Sequence, residues 1–297
     1  MHGNIDMATR AEPLMLSAPE TQTLPLVFAS PHSGRDYPAD FVAQSRLGMD
    51  GLRKSEDGFV DRIFDFTPGI GAPLLCALFP RAFVDPNREA YELDPEMFSD
   101  VLPAHANTTS SRVAAGLGTI ARVVSSGEEI YRDKLTFAEA EARIGRFYRP
   151  YHHALEKLVK ATRAEFGHCI LVDCHSMPSV GLPTTGRQDA SRRADFVLGD
   201  VYGSACAPAI TDRLEETLRE QGYLVARNTP YSGGFTTRHY GQPHTGVHAI
   251  QIEISRHLYM DETTFTATPY LDALARHLKT AALRLAQVPG GLLTPGT

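Results

Sequence analysis

Two histidines, an acidic pair, an Asn-Arg pair and a late glutamate stand in this sequence where strands give way to loops. His32 follows the short apolar run 24–30, inside the turn-like string Pro31-His32-Ser33-Gly34. His175 follows the apolar run 170–172, and Asp85-Pro86-Asn87-Arg88 follows Val84. Glu56 and Asp57 open a stretch with helical spacing, and Glu253 lies on the polar side of the alternating Ile250, Ile252 and Ile254. In open α/β sheets ligands bind beyond the carboxyl ends of the strands, so these side chains would meet around one crevice. Two imidazoles and one carboxylate around an open fourth position make a catalytic zinc site. A second carboxylate then acts as general base toward the water that is consumed. Arginine suits such a site because its planar fork pairs with a substrate carboxylate.

The elements that would position this set can be read from periodicity. Residues 24–30 form a buried strand, and Val60, Ile63 and Phe64 place a helix over 57–66. Residues 73–79 and 82–84 read as further strands, whereas 91–133 are irregular. Thr136 with Glu139 is a capping-box pair opening a long helical stretch that Pro150 should kink or divide. Strands follow at 170–172, 196–198, 223–227 and 250–254, with helices over 207–221 and 271–285. Residues 230–248 read as a loop rich in glycine, proline and histidine. Strands alternating with helices, without a linker-like shift in composition, predict a single α/β domain over residues 23–288. It has a mostly parallel or mixed central sheet and helices on both faces. Residues 1–22 are expected to form a loose leader and 289–297 a frayed tail.

Composition removes other classes. With 42% apolar and 22% charged residues the chain has enough apolar side chains for a large core. A net charge of −6 leaves no basic footprint for nucleic acid or an anionic membrane. No apolar run nears the ~20 residues of a membrane span. The four cysteines, Cys76, Cys169, Cys174 and Cys206, form no Cys-x-x-Cys pair and read as reduced, buried thiols. With no export signal at the start, a cytoplasmic address is expected.

The ordered strings Ser30-Pro31-His32-Ser33-Gly34, Glu56-Asp57-Gly58-Phe59-Val60-Asp61, Val84-Asp85-Pro86-Asn87-Arg88, Asp173-Cys174-His175-Ser176-Met177-Pro178, Gly233-Gly234-Phe235-Thr236 and Gln251-Ile252-Glu253-Ile254-Ser255-Arg256 resemble the N-formylglutamate amidohydrolase family. The resemblance runs from about residue 24 to about residue 287. That family is distantly similar to zinc carboxypeptidases and aspartoacylase-type deacylases, so the implied fold is phosphorylase/hydrolase-like and zinc-exopeptidase-like. The resemblance implies one divalent metal, zinc by preference, on His32, Asp57 and His175, with Glu56 as the alternative acid to Asp57. It implies Glu253 as the catalytic base and Asn87 and Arg88 as substrate-binding residues. The reaction it implies is hydrolysis of N-formyl-L-glutamate, or a close N-acyl amino acid, to formate and the amino acid. The alternatives are a related deacylase or exopeptidase with another specificity, and a non-catalytic binding protein on the same scaffold. A substrate with two carboxylates needs a second cation, for which Arg238 and Arg256 are the candidates.

Other patterns compete weakly. His239, His244 and His248 fall in one loop and are expected to contact substrate or form a lid rather than bind metal. His153 and Glu156 have a His-x-x-Glu spacing, but on a helix beside Leu155 and Leu158, which makes an exposed or interface histidine the better reading. Gly116-x-Gly118-x-x-Ala121 lacks the strand and helix that a dinucleotide fingerprint requires. Neither Gly-x-Ser-x-Gly nor His-Glu-x-x-His occurs, which disfavours those hydrolase types.

Overall fold

The computed structural model describes residues 12–179 and 193–294. Among them seven strands build one mixed sheet: β1 (Leu14–Ser17), β2 (Leu26–Ser30), β3 (Leu74–Ala77), β4 (Cys169–Met177), β5 (Phe196–Gly199), β6 (Val225–Arg227) and β7 (Val247–Ser255). Their order is β1-β3-β2-β4-β7-β5-β6. Strands β3, β2, β4 and β7 run parallel, β1 and β5 are antiparallel to their inner neighbours, and β6 is parallel to β5. The expected α/β domain with a mixed sheet is therefore present.

Strict alternation splits the core in two. Leu26, Phe28, Ile170, Val172, Ile250 and Ile252 face one layer, with the helices Pro208–Glu220 and Leu271–Leu285 packed on it. Val27, Ala29, Leu171 and Ala249 face the other, which carries the helical stretch from Phe137 to Phe166. On this second face the two longest strands change character along their length. Leu171 gives way to Asp173 and His175 on β4, and Ala249 to Gln251 and Glu253 on β7. The parallel register pairs Asp173 with Gln251 and His175 with Glu253. A polar patch thus forms at the carboxyl end of the sheet, on the face whose other half is hydrophobic core.

Several expected boundaries differ. Residues 14–17 of the expected leader form β1, whose four residues pair with β3; residues 1–11 lie outside the described residues. Residues 82–84 form a turn, not a strand: Phe83 and Val84 donate their amides to Pro80 O, and the three apolar side chains fill core without sheet pairing. The region 230–248 contains a helix, Phe235–Tyr240, and a 3-10 turn, Pro243–Thr245, and its last two residues belong to β7. The capping box on Thr136 and Glu139 has both of its hydrogen bonds. Pro150 does not break the helix it opens; a π-turn, Ile144–Tyr148, precedes it and places it in the first turn of Arg149–Phe166, where its missing N–H costs little. The expected tail packs as well. Gly290–Leu292 is a 3-10 turn, Leu293 is buried, and Leu293 O accepts a hydrogen bond from His248 Nε2 at 2.8 Å; residues 295–297 lie outside the described residues.

All four cysteines are free and buried. Burial pushes the thiols of Cys76, Cys169 and Cys206 up to about 12. Cys174 packs in the core on the face of β4 opposite His175, so its nearness in sequence to the site is not nearness in space. Among the described residues no helix is long and apolar enough to cross a membrane.

Candidate active site

β2 ends at Ser30, and the chain turns so that His32 reaches back over the sheet edge. Asp57 is delivered by a second loop, stitched to the first by a hydrogen bond from Asp57 N to His32 O at 3.0 Å. His175 projects from β4 itself, which runs on past the expected end at Val172. The three meet. Ligand-capable atoms of His32, Asp57 and His175 all lie within 4.8 Å of one another, and all three residues are buried.

The inner geometry is specific. Asp57 Oδ2 is 3.0 Å from His175 Nδ1 and 3.4 Å from His32 Nδ1. Tetrahedral zinc with bonds of ~2.0–2.1 Å has ligand-to-ligand edges of about 3.3 Å, so these spacings match what such an ion needs. His32 Nδ1 is buried and has no hydrogen-bond partner, a donor atom aimed at the shared point. Both outer nitrogens lie beside carboxylates: His32 Nε2 is hydrogen-bonded to Asp85 Oδ1 at 2.7 Å, and His175 Nε2 is 2.9 Å from Asp173 Oδ1. Carboxylate–imidazole pairs of this kind fix the ring and its tautomer in metal sites. Asn87 completes the frame. Its Nδ2 lies 3.0 Å from His175 Nε2, and its Oδ1 accepts from Thr236 N at 2.8 Å.

The charges follow from burial against pairing. Burial disfavours an ionised Asp57, yet the hydrogen bond with His175 and the nearness of His32 hold its carboxyl well below the usual range. Burial likewise opposes a charged His175, but Asp173 above all, then Asp57, push that ring well above an ordinary imidazole. For Asp85 burial is outweighed by Arg81 and Arg88, which keep it well below the usual carboxylate. Glu253 goes the other way: burial pushes its carboxyl up to about 7, against the pull of His175. Its Oε1 accepts a hydrogen bond from Gln251 Nε2 at 2.8 Å.

Above the group lies a cavity of about 360 Å³ whose wall includes His32, His175, Glu253, Asn87, Arg88 and Arg238. Six of the eight site candidates therefore line it, and Asp57 sits directly behind the two histidines. Arg256 does not line it. Its guanidinium turns into the protein, donating from Nη2 to Glu56 O at 2.7 Å and from Nε to Ser176 Oγ at 3.2 Å, with Asp57 Oδ1 3.4 Å away. It braces the Asp57 loop instead of facing the cavity. Glu56 is likewise turned away, its carboxylate taken by Tyr37 Oη at 2.7 Å and Arg53 Nε at 3.1 Å, which leaves Asp57 as the acid in the group.

None of the histidines of 230–248 lines the cavity. His248 is buried in β7 and bonded to Leu293 O and Ala207 N, while His239 stacks on Phe235 at 4.8 Å. His153 is exposed, as expected, whereas its neighbour His152 is not. His152 Nδ1 accepts from Tyr240 Oη at 2.9 Å and its Nε2 donates to Pro86 O at 2.8 Å, so it supports the Asn87 turn from behind. Sequence reasoning missed Asp85, Asp173, Arg81 and Arg112. Asp173-x-His175 on one strand carried a usable signal, since residues two apart share a face; Arg81 and Arg112, which also line the cavity, carried none.

Fold and site together define an α/β protein with a buried His–Asp–His group at the carboxyl edge of its sheet, roofed by an arginine-rich cavity. Comparison with known proteins agrees with that picture. The family model described as N-formylglutamate amidohydrolase matches residues 24–260. An N-formylglutamate deformylase of Pseudomonas aeruginosa is 32% identical over 246 residues, covering 80% of this chain and 83% of the relative. One from Pseudomonas putida is 29% identical over 243 residues, covering 81% and 83%. The crystal structure of an N-formylglutamate amidohydrolase from Ralstonia eutropha superposes with a TM-score of 0.84 at 39% identity, covering 93% of this chain and 97% of that one. The chain belongs to the N-formylglutamate amidohydrolase family.

Proposed function

We propose that the protein hydrolyses the amide bond of N-formyl-L-glutamate to formate and glutamate, and that it does so with one divalent metal ion, zinc by preference, held by His32, Asp57 and His175. The observation that carries this is the convergence of His32 Nδ1, Asp57 Oδ2 and His175 Nδ1 beneath a cavity that Glu253 and several arginines line. Two imidazoles and a carboxylate suit zinc better than the oxygen-preferring magnesium or calcium. The ion would supply Lewis acidity to the formyl oxygen and to the hydrolytic water.

The rest is work for the chain's own side chains. Glu253 takes a proton from the water on its free Oε2, while Gln251 holds Oε1. The water oxygen adds to the formyl carbon. Glu253 then returns that proton to the amide nitrogen as the C–N bond breaks, so formic acid and the free amine are formed, and the acid's remaining proton passes to the amine to give formate and the ammonium form of the amino acid. Asp85 and Asp173 hold the histidine rings in place, and Asn87 fixes the wall between them. Arg88 takes a substrate carboxylate. Its guanidinium is held by Leu117 O at 2.7 Å and Asn87 O at 2.7 Å, so its orientation is set before substrate arrives.

The test is elemental analysis with product detection. Expected are about one divalent ion per chain, equimolar formate and glutamate from N-formyl-L-glutamate, loss of turnover after chelation, and recovery on adding Zn²⁺. Full turnover in chelator-stripped protein would refute the metal, and absence of formate release from metal-loaded protein would refute the reaction.

A further inference from the structure

The cavity has more positive charge than its own carboxylates neutralise. Arg81 and Arg88 share Asp85, with Arg81 Nη2 at 2.8 Å and Arg88 Nη2 at 3.5 Å from its Oδ2. Arg112 lines the same cavity, half-buried, and among the described residues its guanidinium makes neither an ion pair nor a hydrogen bond. Its backbone is well fixed. The helix Ser111–Ala114 is capped by Ser110 Oγ, which accepts from Val113 N at 3.0 Å. Arg112 O accepts from Leu117 N at 2.8 Å, and Leu117 O in turn holds Arg88 Nε. One short turn thus presents Arg112 and anchors Arg88. The two positive charges are near enough for Arg112 to disfavour the charge on Arg88, whose guanidinium burial has already pushed down to about 10. Two like charges in one half-buried wall, one of them without a partner, form a site prepared for an anion with two acidic groups.

From this arrangement we infer that Arg112 is the specificity-determining residue for the substrate's side-chain carboxylate, with Arg88 taking the α-carboxylate. This rests on the proposed reaction and extends it to the choice of amino acid. Arg88 stands next to the His–Asp–His group through Asp85 and Asn87, which touch His32 and His175. It therefore suits the carboxylate one carbon from the scissile nitrogen. Arg112, reached through Arg88's own anchor, suits the carboxylate at the far end of a glutamate side chain. Arg238 also lines the cavity without an ion pair among the described residues, but its side chain belongs to an exposed position, where screening weakens any contribution to selectivity.

The experiment compares N-formyl-L-glutamate with N-formyl-L-glutamine, which differ only in that far charge, in the wild type and in Arg112→Gln. In the variant kcat/KM for formylglutamate should fall about 10- to 100-fold, mostly through KM, as expected for loss of a charge-assisted contact. Formylglutamine should change less than about threefold, so the preference for the acid collapses. Arg112→Lys should restore part of it, since a point charge replaces a fork. Equal losses on both substrates, or an unchanged ratio, would overturn the inference. Binding of glutamate and glutamine, measured by calorimetry on the same metal-loaded proteins, separates the two levels. A wild type that binds glutamate through Arg112 but releases no formate refutes the reaction and keeps the inference; binding that ignores Arg112 refutes the inference.

Discussion

Gly234→Ala should disable the site while leaving the fold intact, and the reason is spatial. Gly234 has φ −83° and ψ −162°, a conformation alanine adopts freely. A Cβ there, however, would stand 2.3 Å from Nδ2, 2.4 Å from Oδ1 and 2.6 Å from Cγ of Asn87. Ordinary contact begins near 3.4 Å, so Asn87 or the Gly233–Thr236 turn must retreat by about 1 Å. Neither is slack. Asn87 Oδ1 accepts from Thr236 N, its Nδ2 packs 3.0 Å from His175 Nε2, and Gly234 N is bonded to Gln251 Oε1 at 2.7 Å. A displacement of ~1 Å beside reacting groups costs roughly 10²-fold in rate, and overpacking of this kind costs ~1–3 kcal/mol of stability, which a domain of this size tolerates. The assay is formate release at saturating metal, run as a cycle with Asn87→Ala. If the clash acts through Asn87, adding Gly234→Ala to Asn87→Ala should cost less than about threefold, a coupling of ~2 kcal/mol. Wild-type kcat/KM in Gly234→Ala would show that the turn absorbs a methyl group. Equal losses in both backgrounds would show that Asn87 is not the residue displaced.

Three further outcomes are expected. Glu253→Gln keeps the contact with Gln251 but cannot accept a proton; turnover should fall by about 10²–10⁴-fold with metal content unchanged, and a variant that loses its metal would make Glu253 a ligand instead. Asp173→Asn should weaken metal binding by about 10–100-fold, read by competition with a chromophoric chelator, because His175 loses the carboxylate 2.9 Å from its Nε2; unchanged affinity would make that contact incidental. His152 links acid stability to the fold: burial first of all lowers its pKa from 6.5 to about 4. A depressed histidine means that the unfolded chain takes up the proton first, so the native state loses stability as pH falls through the window between those two values and loses nothing more below it. At pH 5 the loss is about 2 kcal/mol relative to neutral pH. Urea unfolding should therefore show the gap between wild type and His152→Gln shrinking by that amount from pH 7.5 to pH 5, and a constant gap would place the titration elsewhere.

How much of this could be read from the chain differs by element. β2 and β4 were legible because a short apolar run marks each, and β7 because alternation marks it. Even so, β4 runs past its expected end to Met177, since Asp173 and His175 stay in the ladder despite being polar, and β7 begins earlier than expected, at Val247. Residues 82–84 have strand-like side chains but bury them from a turn, because apolar content reports burial and not hydrogen bonding. β1 was hidden in what read as a leader: its side chains are partly exposed at the sheet edge, so no buried run announced it.

The site itself was legible in its ligands and not in its supports, and the register explains both facts. His32, Asp57 and His175 each follow or end a recognisable element, so their types could be noticed one by one. Their supports are set by pairings the sequence does not display. Asp85 reaches His32 across 53 residues, and Arg256 reaches the Asp57 loop across 199. Arg256 was a candidate substrate cation because a second carboxylate calls for a second positive charge. Glu253 and Ser255 point to one face of β7, and the chain turns away immediately after, which carries the arginine behind the acid loop instead of into the cavity. Arg112 had the opposite fate. It lies in the irregular 91–133 segment, where nothing periodic marks a face, yet the turn from Arg112 to Leu117 delivers it beside Arg88. Pairing within the sheet sets His175 beside Glu253, while loop turns without a periodic signature bring in His32, Asp57 and the arginines of the cavity. Specificity should accordingly be the property least readable from the sequence, and the arginines of this cavity are where it should be changed.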